Sequence, residues 1–126
     1  LAYKRSKLAN LLFTYELARR LADANGASGE NGAGPTVNAL HPGFVATNIG
    51  VRHGFIPGLL WRAVSLAAID VERGAETSVY LASSPDVKEL TGRYFVECQP
   101  RPSSTVSYDR DAARRLWEIS ARMTEL

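Results

Sequence analysis

The sequence predicts an α/β domain with parallel strands. Segments of helical periodicity alternate with short β-branched or aromatic runs, in the order helix, strand, helix, helix, strand, helix. Hydrophobic residues occupy 45% of the 126 positions, an ordinary share for one folded domain. Because two parallel strands seldom form a sheet alone, we expect the two strands to belong to a wider sheet and the four helices to pack against that sheet.

The first predicted helix covers residues 2–24. This stretch lacks Gly and Pro, and its apolar side chains recur at steps of three and four residues. Tyr3, Lys7, Asn10 and Thr14 form a polar stripe along a second face of the same helix. The helix therefore has one face suited to a core and another suited to polar contacts.

The middle of the chain alternates between loop, strand and helix. Four glycines in residues 25–35 predict a flexible surface loop. The run TVNAL at 36–40 predicts a short parallel strand, which Pro42 and Gly43 end. A helical pattern resumes over residues 56–68, with an irregular stretch before it.

The carboxyl-terminal part adds a helix, a strand and a helix. Asp70 suits the N-cap of a helix that Pro85 ends. The run RYFVE at 93–97 predicts the second strand, which the two prolines that follow it end. An amphipathic helix is predicted over 108–123, with Trp117 as its apolar anchor.

Charge and cysteine content exclude several classes of protein. The net charge is +2 and the basic residues are scattered, so no nucleic-acid partner is expected. Cys98 has no second cysteine to pair with, and no His and Cys cluster has metal-ligand spacing, so neither a disulfide nor a metal site is expected. The apolar runs are too short to span a bilayer. A reducing, cytoplasmic compartment is the expectation.

The segment YKRSK places a phenol and an ammonium four residues apart, at Tyr3 and Lys7. Residues at this spacing are neighbours on one helical face. A phenol has an ordinary pKa of about 10, and a nearby cation lowers it, so such a pair can exchange a proton near neutral pH. The alternative interpretation is an ordinary pair of solvated side chains on an exposed helix.

Further motifs favour the chemical interpretation. YKRSK is followed by LANLLF, then by VNALHPGFVATNI at 37–49, GAETSVYLASSP at 74–85 and TGRYF at 91–95. These segments resemble the short-chain dehydrogenase/reductase family, in its retinol-dehydrogenase-like and WW-domain-oxidoreductase-like branch. The resemblance implies that residues 1–126 form the carboxyl-terminal half of a doubly wound parallel-sheet (Rossmann) domain. It also implies an NAD or NADP cofactor, with NADP favoured.

The resemblance assigns roles to individual residues. It implies that Tyr3 is the general acid/base and that Lys7 holds the nicotinamide ribose while favouring ionisation of the phenol. A segment of Pro-Gly-x-Val-x-Thr form is implied to contact the nicotinamide carboxamide. The cofactor-binding residues implied in this way are Tyr3, Lys7, Pro42, Gly43, Val45 and Thr47.

The substrate is implied to be an apolar alcohol or carbonyl compound. The resemblance places a variable substrate lobe at residues 44–68, where Phe44, Phe55 and Trp61 are candidate lining residues. Packing in a core is the alternative role for these side chains. The helix Ala2–Ala24 resembles an element that family members pack across a homodimer interface.

Several parts of the family pattern would precede Tyr3. These are a Gly-rich phosphate loop, an Asn-rich segment and a catalytic Ser, and any membrane anchor would also lie upstream. We therefore expect the 126-residue chain to be inactive by itself. The alternative is a truncated, non-catalytic product that acts through subunit association, for which the strand at 36–40 would offer an exposed edge.

Overall fold

The structure is a computed structural model that describes residues 2–28, 34–42 and 71–125. The predicted helix at 56–68 and the substrate lobe at 44–68 lie outside these ranges. The helices and strands are α1 (Ala2–Ser28), β1 (Ala39–His41), α2 (Val71–Ser83), β2 (Tyr94–Val96), β3 (Gln99–Arg101) and α3 (Arg110–Thr124). Short 3₁₀ turns span Pro85–Val87 and Thr105–Tyr108.

The first helix buries the apolar stripe that its periodicity predicts. Leu12, Tyr15 and Ala18 are each less than 10% exposed. The helix ends at Ser28, so the loop predicted for 25–35 is wrong in its first four residues. Gly26 costs only about 1 kcal/mol inside a helix, and extension adds a hydrogen bond for each residue fixed, so one glycine does not end a long helix.

The sheet has the order β1-β2-β3. β1 and β2 are parallel, as predicted, with Leu40 opposite Phe95. The described residues contain a third strand, β3, which pairs antiparallel to β2 and places Pro100 opposite Phe95. β2 itself ends at Val96, before the two prolines, but the sheet continues through Pro100, because a proline, which lacks an N–H, is tolerated in an edge strand.

A two-residue hairpin turn joins β2 to β3. Glu97 and Cys98 both have positive φ, at 51° and 59°. Tight hairpins favour this left-handed conformation, which usually selects Asn-Gly or Asp-Gly, so the Glu-Cys pair carries no recognisable turn signature. Thr77 of α2 stabilises the turn, because its buried Oγ1 accepts a 3.1 Å hydrogen bond from the Cys98 N–H.

The first parallel strand begins later than predicted, at Ala39 instead of residue 36. Just before β1, the side chain of Asn38 makes hydrogen bonds in place of some backbone hydrogen bonds between strands. The Asn38 amide donates to the Leu90 carbonyl at 2.7 Å, and its carbonyl oxygen accepts from the Arg93 N–H at 3.0 Å. Asn38 thus joins the approach to β1 to the approach to β2 without regular strand pairing.

The last helix packs against the first. Asp109 caps it by accepting a 2.9 Å hydrogen bond from the Ala112 N–H, so the helix begins at residue 110 and not at 108. Trp117 is half-buried and stacks on Phe13 at 5.2 Å, while the Arg20 guanidinium lies 4.7 Å from its ring centroid. Trp117 thus contacts α1, but it is half-buried and does not lie in the core as predicted.

None of the helices in the described ranges is long and apolar enough to cross a membrane.

Candidate functional site

The two predicted reactive side chains lie at the start of α1. The Lys7 Nζ atom is 5.3 Å from the centroid of the Tyr3 ring. The helical spacing thus brings the ammonium over the face of the ring, where the two attract each other. Tyr3 is 73% exposed, so its phenol is open to a ligand. The Ser6 hydroxyl donates back to the Tyr3 carbonyl at 2.8 Å.

The carboxyl end of β1 is the second predicted part of the site. Pro42 follows His41 directly and is exposed. Ligands in open α/β sheets bind beyond the carboxyl ends of parallel strands, so this position suits a cofactor. The remaining predicted residues, Gly43, Phe44, Val45, Thr47, Phe55 and Trp61, lie outside the described ranges. Their roles therefore stay predictions.

The chemistry of the described residues fits a nicotinamide cofactor at the start of α1. An ammonium and a phenol one helical turn apart can each bond a ribose hydroxyl, and both side chains are exposed. In the three described ranges, no group of three or more His, Cys, Asp or Glu side chains is placed to hold a metal ion.

A buried hydroxyl network joins α1 to the segment before α3. The Tyr15 hydroxyl is 2.6 Å from Ser103 Oγ, which is 2.6 Å from Ser107 Oγ. Ser107 in turn donates to the Ser104 carbonyl at 2.6 Å and is 1% exposed. We call Tyr15, Ser103 and Ser107 the hydroxyl seam. It fixes α1 against the Ser-rich segment that follows β3.

Tyr108 extends this region towards solvent. Its ring stacks on Tyr15 at 5.2 Å, and its hydroxyl accepts a 3.0 Å hydrogen bond from the Ser103 N–H. Burial raises the pKa of Tyr15, whereas hydrogen bonding to Ser103 lowers the pKa of Tyr108, with a smaller contribution from the positive charge of Arg93.

Sequence reasoning missed the hydroxyl seam. Tyr15 falls on the apolar stripe of α1, and the two serines fall in a stretch, 99–107, that resembles a linker. The available signal is weak: Ser103, Ser104 and Ser107 form a hydroxyl-rich run just before a helix. Such a run ordinarily indicates a turn or cap and says nothing about a partner 88 residues earlier in the chain.

An ion-pair cluster on α1 begins at Glu16, the residue after Tyr15. Glu16 is 7% exposed and bonds the guanidinium groups of Arg19 and Arg20 at 2.6 and 2.8 Å. Burial alone would raise the pKa of Glu16, but the two arginines outweigh it, so the pKa of Glu16 lies below its usual value. Arg20 also contacts Trp117, and the cluster therefore helps to hold α1 to α3.

Comparison with known proteins decides the family. The chain is 48% identical to retinol dehydrogenase 14 of Homo sapiens over 98% of its length. It is 39% identical to retinol dehydrogenase 12 of Mus musculus over 97%, and 36% identical to the chloroplastic short-chain dehydrogenase TIC 32 A of Brassica napus over 98%. The chain belongs to the short-chain dehydrogenase/reductase family.

Within that family the similarity is to retinol-dehydrogenase-like members, as the sequence motifs predict. The chain spans about a third of the length of the curated relatives it matches, since it covers 35% of each retinol dehydrogenase and 37% of the Brassica napus protein. No protein-family model matches the chain.

Proposed function

We propose that these residues form the carboxyl-terminal part of an NAD(P)-dependent oxidoreductase that interconverts an alcohol and a carbonyl compound. The observation that carries the proposal is the contact between Lys7 and an exposed Tyr3 in the first turns of α1. The names of the relatives, which are dehydrogenases, support the reaction class.

Tyr3 and Lys7 have different roles in the proposed reaction. The nicotinamide, when bound, supplies the hydride chemistry. The Tyr3 hydroxyl gives a proton to a carbonyl oxygen, or its phenolate takes one from an alcohol. The positive charge of Lys7 stabilises the phenolate and donates hydrogen bonds to the ribose. Pro42, Gly43, Val45 and Thr47, in the segment that follows β1, would hold the carboxamide.

The substrate proposed is an apolar alcohol or the matching aldehyde or ketone. Relatives named retinol dehydrogenases favour a retinoid-type compound. Phe44, Phe55 and Trp61 would supply apolar walls for it. We propose NAD or NADP as the cofactor, with NADP favoured by the family resemblance.

The test is a Tyr3→Phe variant of the complete protein in which this chain occurs. Loss of the acid/base hydroxyl should lower kcat at least about a hundredfold. The Kd for NADP or NAD, measured by calorimetry, should change little because the ring remains. Tyr80→Phe is the matched control, since it removes a hydroxyl that makes no hydrogen bond in the described ranges, and it should keep full turnover. Unchanged turnover of Tyr3→Phe would contradict the proposal.

A second candidate concerns the 126-residue chain alone, as a non-catalytic product that acts through association. One observation favours it: β1 lies at one end of the sheet that the described residues form. An edge strand can pair with another chain, and the helix Ala2–Ala24 is a further candidate for a homodimer contact. Sedimentation of the 126-residue chain should then show association that increases with concentration. A monomer with a sharp, concentration-independent thermal transition would contradict it.

A further inference from the structure

A cleft of about 320 Å³ lies beside the hydroxyl seam. Tyr15 and Tyr108 form one side of it, and the amino end of β2 and the carboxyl end of β3 form the other. Arg93 and Arg101 both line the cleft, together with Pro100 and Pro102. Aromatic rings, proline rings and two cations therefore meet in one concave surface.

The two arginines have no internal partner in the part of the chain that is described. Neither guanidinium takes part in an ion pair or a hydrogen bond there, and no Asp or Glu lines the cleft. By contrast, Arg19 and Arg20 of α1 are both committed to Glu16. A guanidinium presents a planar fork of donors that matches a phosphate or carboxylate group.

Tyr108 adds a hydroxyl to the same surface. Its oxygen accepts a 3.0 Å hydrogen bond from the Ser103 N–H and also interacts with the side-chain hydroxyls of Ser103 and Tyr15, which fix the ring at the edge of the cleft. Tyr108 is 51% exposed, and hydrogen bonding to Ser103, with a smaller contribution from the positive charge of Arg93, lowers its pKa. A phenol and a cation thus line the same cleft.

The cleft is remote from the proposed reaction site. Tyr15 lies about 18 Å along α1 from Tyr3, at 1.5 Å per residue. The cleft also meets β2 at its amino end, whereas Pro42 follows the carboxyl end of the parallel strand β1. A ligand in the cleft would therefore be neither the reacting alcohol nor the nicotinamide.

We propose that this cleft binds a small organic anion, whose phosphate or carboxylate group is held by Arg93 and Arg101. The apolar body of the ligand packs against the stacked rings of Tyr15 and Tyr108 and against the prolines. Phosphate monoesters and carboxylic acids with an aromatic or other flat apolar group suit this combination of fork-shaped donors and ring surfaces.

The test is calorimetric titration of the complete protein with phenyl phosphate, with benzoate and with inorganic phosphate. Either aromatic anion should bind, more tightly than inorganic phosphate, and with an affinity that falls as salt is added. Tighter binding of phenyl phosphate assigns the phosphate class, and tighter binding of benzoate assigns the carboxylate class. Absence of binding by both aromatic anions at millimolar concentration would overturn the proposal.

Variants separate this cleft from the rest of the protein. Arg93→Gln and Arg101→Gln should each weaken binding of the preferred anion at least about tenfold. Arg114→Gln, on the exposed side of α3, is the charge-matched control and should bind as the unchanged protein does. Equal affinities for Arg93→Gln, Arg101→Gln and Arg114→Gln would overturn the assignment.

A further variant distinguishes this proposal from the proposed oxidoreductase function. Tyr3→Phe should bind the anion as tightly as the unchanged protein, because Tyr3 is remote from the cleft. Its catalytic defect and the anion affinity are therefore independent readouts. Unfolding transitions of all four variants, followed by circular dichroism, show that each one is folded at the temperature of the titration.

Discussion

Two tyrosines on α1 have opposite environments. Tyr3 is 73% exposed and contacts Lys7 of its own helix, whereas Tyr15 is 6% exposed and bonds Ser103 from a distant part of the chain. The first position suits a group that must meet a ligand, and the second suits a group that holds elements together. The comparison shows that one helix can expose one tyrosine to a ligand and use another, about three turns on, to hold elements together.

After Tyr3→Phe, the largest loss of activity is expected for Lys7→Met, in the same turns of α1. This change removes the cation but keeps much of the aliphatic stem. We expect kcat/KM of the complete protein to fall at least about tenfold, because the phenolate loses its stabilising charge. Cofactor affinity should also fall, unlike in Tyr3→Phe, because the ribose loses a donor. Titration calorimetry with NADP or NAD measures this difference, and unchanged cofactor affinity would contradict the role proposed for Lys7.

The next effect concerns the second tyrosine of this comparison and follows Tyr15→Phe. The variant removes the hydroxyl that bonds Ser103 and leaves a buried polar group with one partner fewer. We expect the free energy of unfolding to fall by about 1–2 kcal/mol. Urea unfolding of the complete protein measures it, with Tyr80→Phe as the control. Equal stability of the two variants would mean that the hydroxyl seam contributes little to the free energy of unfolding.

The smallest effect is a pH dependence at Glu16. Its pKa is lowered in the folded protein, so its ion pairs stabilise the fold above the ordinary Glu pKa of about 4.3. This stabilisation, about 1 kcal/mol for two partly exposed pairs, is lost as the pH falls through the lowered folded pKa. Glu16→Gln should therefore be less stable than the unchanged protein at pH 7. The difference should shrink below pH 4 in urea unfolding, and a difference independent of pH would contradict the assignment.

The sequence predicts the structural features that depend on residues close together in the chain. Helical periodicity locates α1, α2 and α3, and the β-rich runs locate the parallel pair β1 and β2. The spacing of Tyr3 and Lys7 likewise predicts their contact, because four residues make one helical turn.

Features that depend on tertiary contacts are not predicted. β3 has an unfavourable composition, with a proline in its centre, and forms only because β2 offers a neighbouring edge. The hydroxyl seam joins residues 88 positions apart, and local pattern carries no information about such a pairing. The roles of Gly43, Val45 and Thr47 rest on family resemblance and stay predictions.

The most direct test of the account compares Tyr3→Phe and Tyr15→Phe in the complete protein, with turnover and thermal stability measured for each. We expect opposite results for the two variants: Tyr3→Phe loses at least about a hundredfold in kcat with an unchanged melting temperature, whereas Tyr15→Phe melts at a lower temperature and keeps its turnover below that transition. Full turnover by Tyr3→Phe, or a greater loss of kcat in folded Tyr15→Phe, would contradict the roles proposed for the two tyrosines of α1.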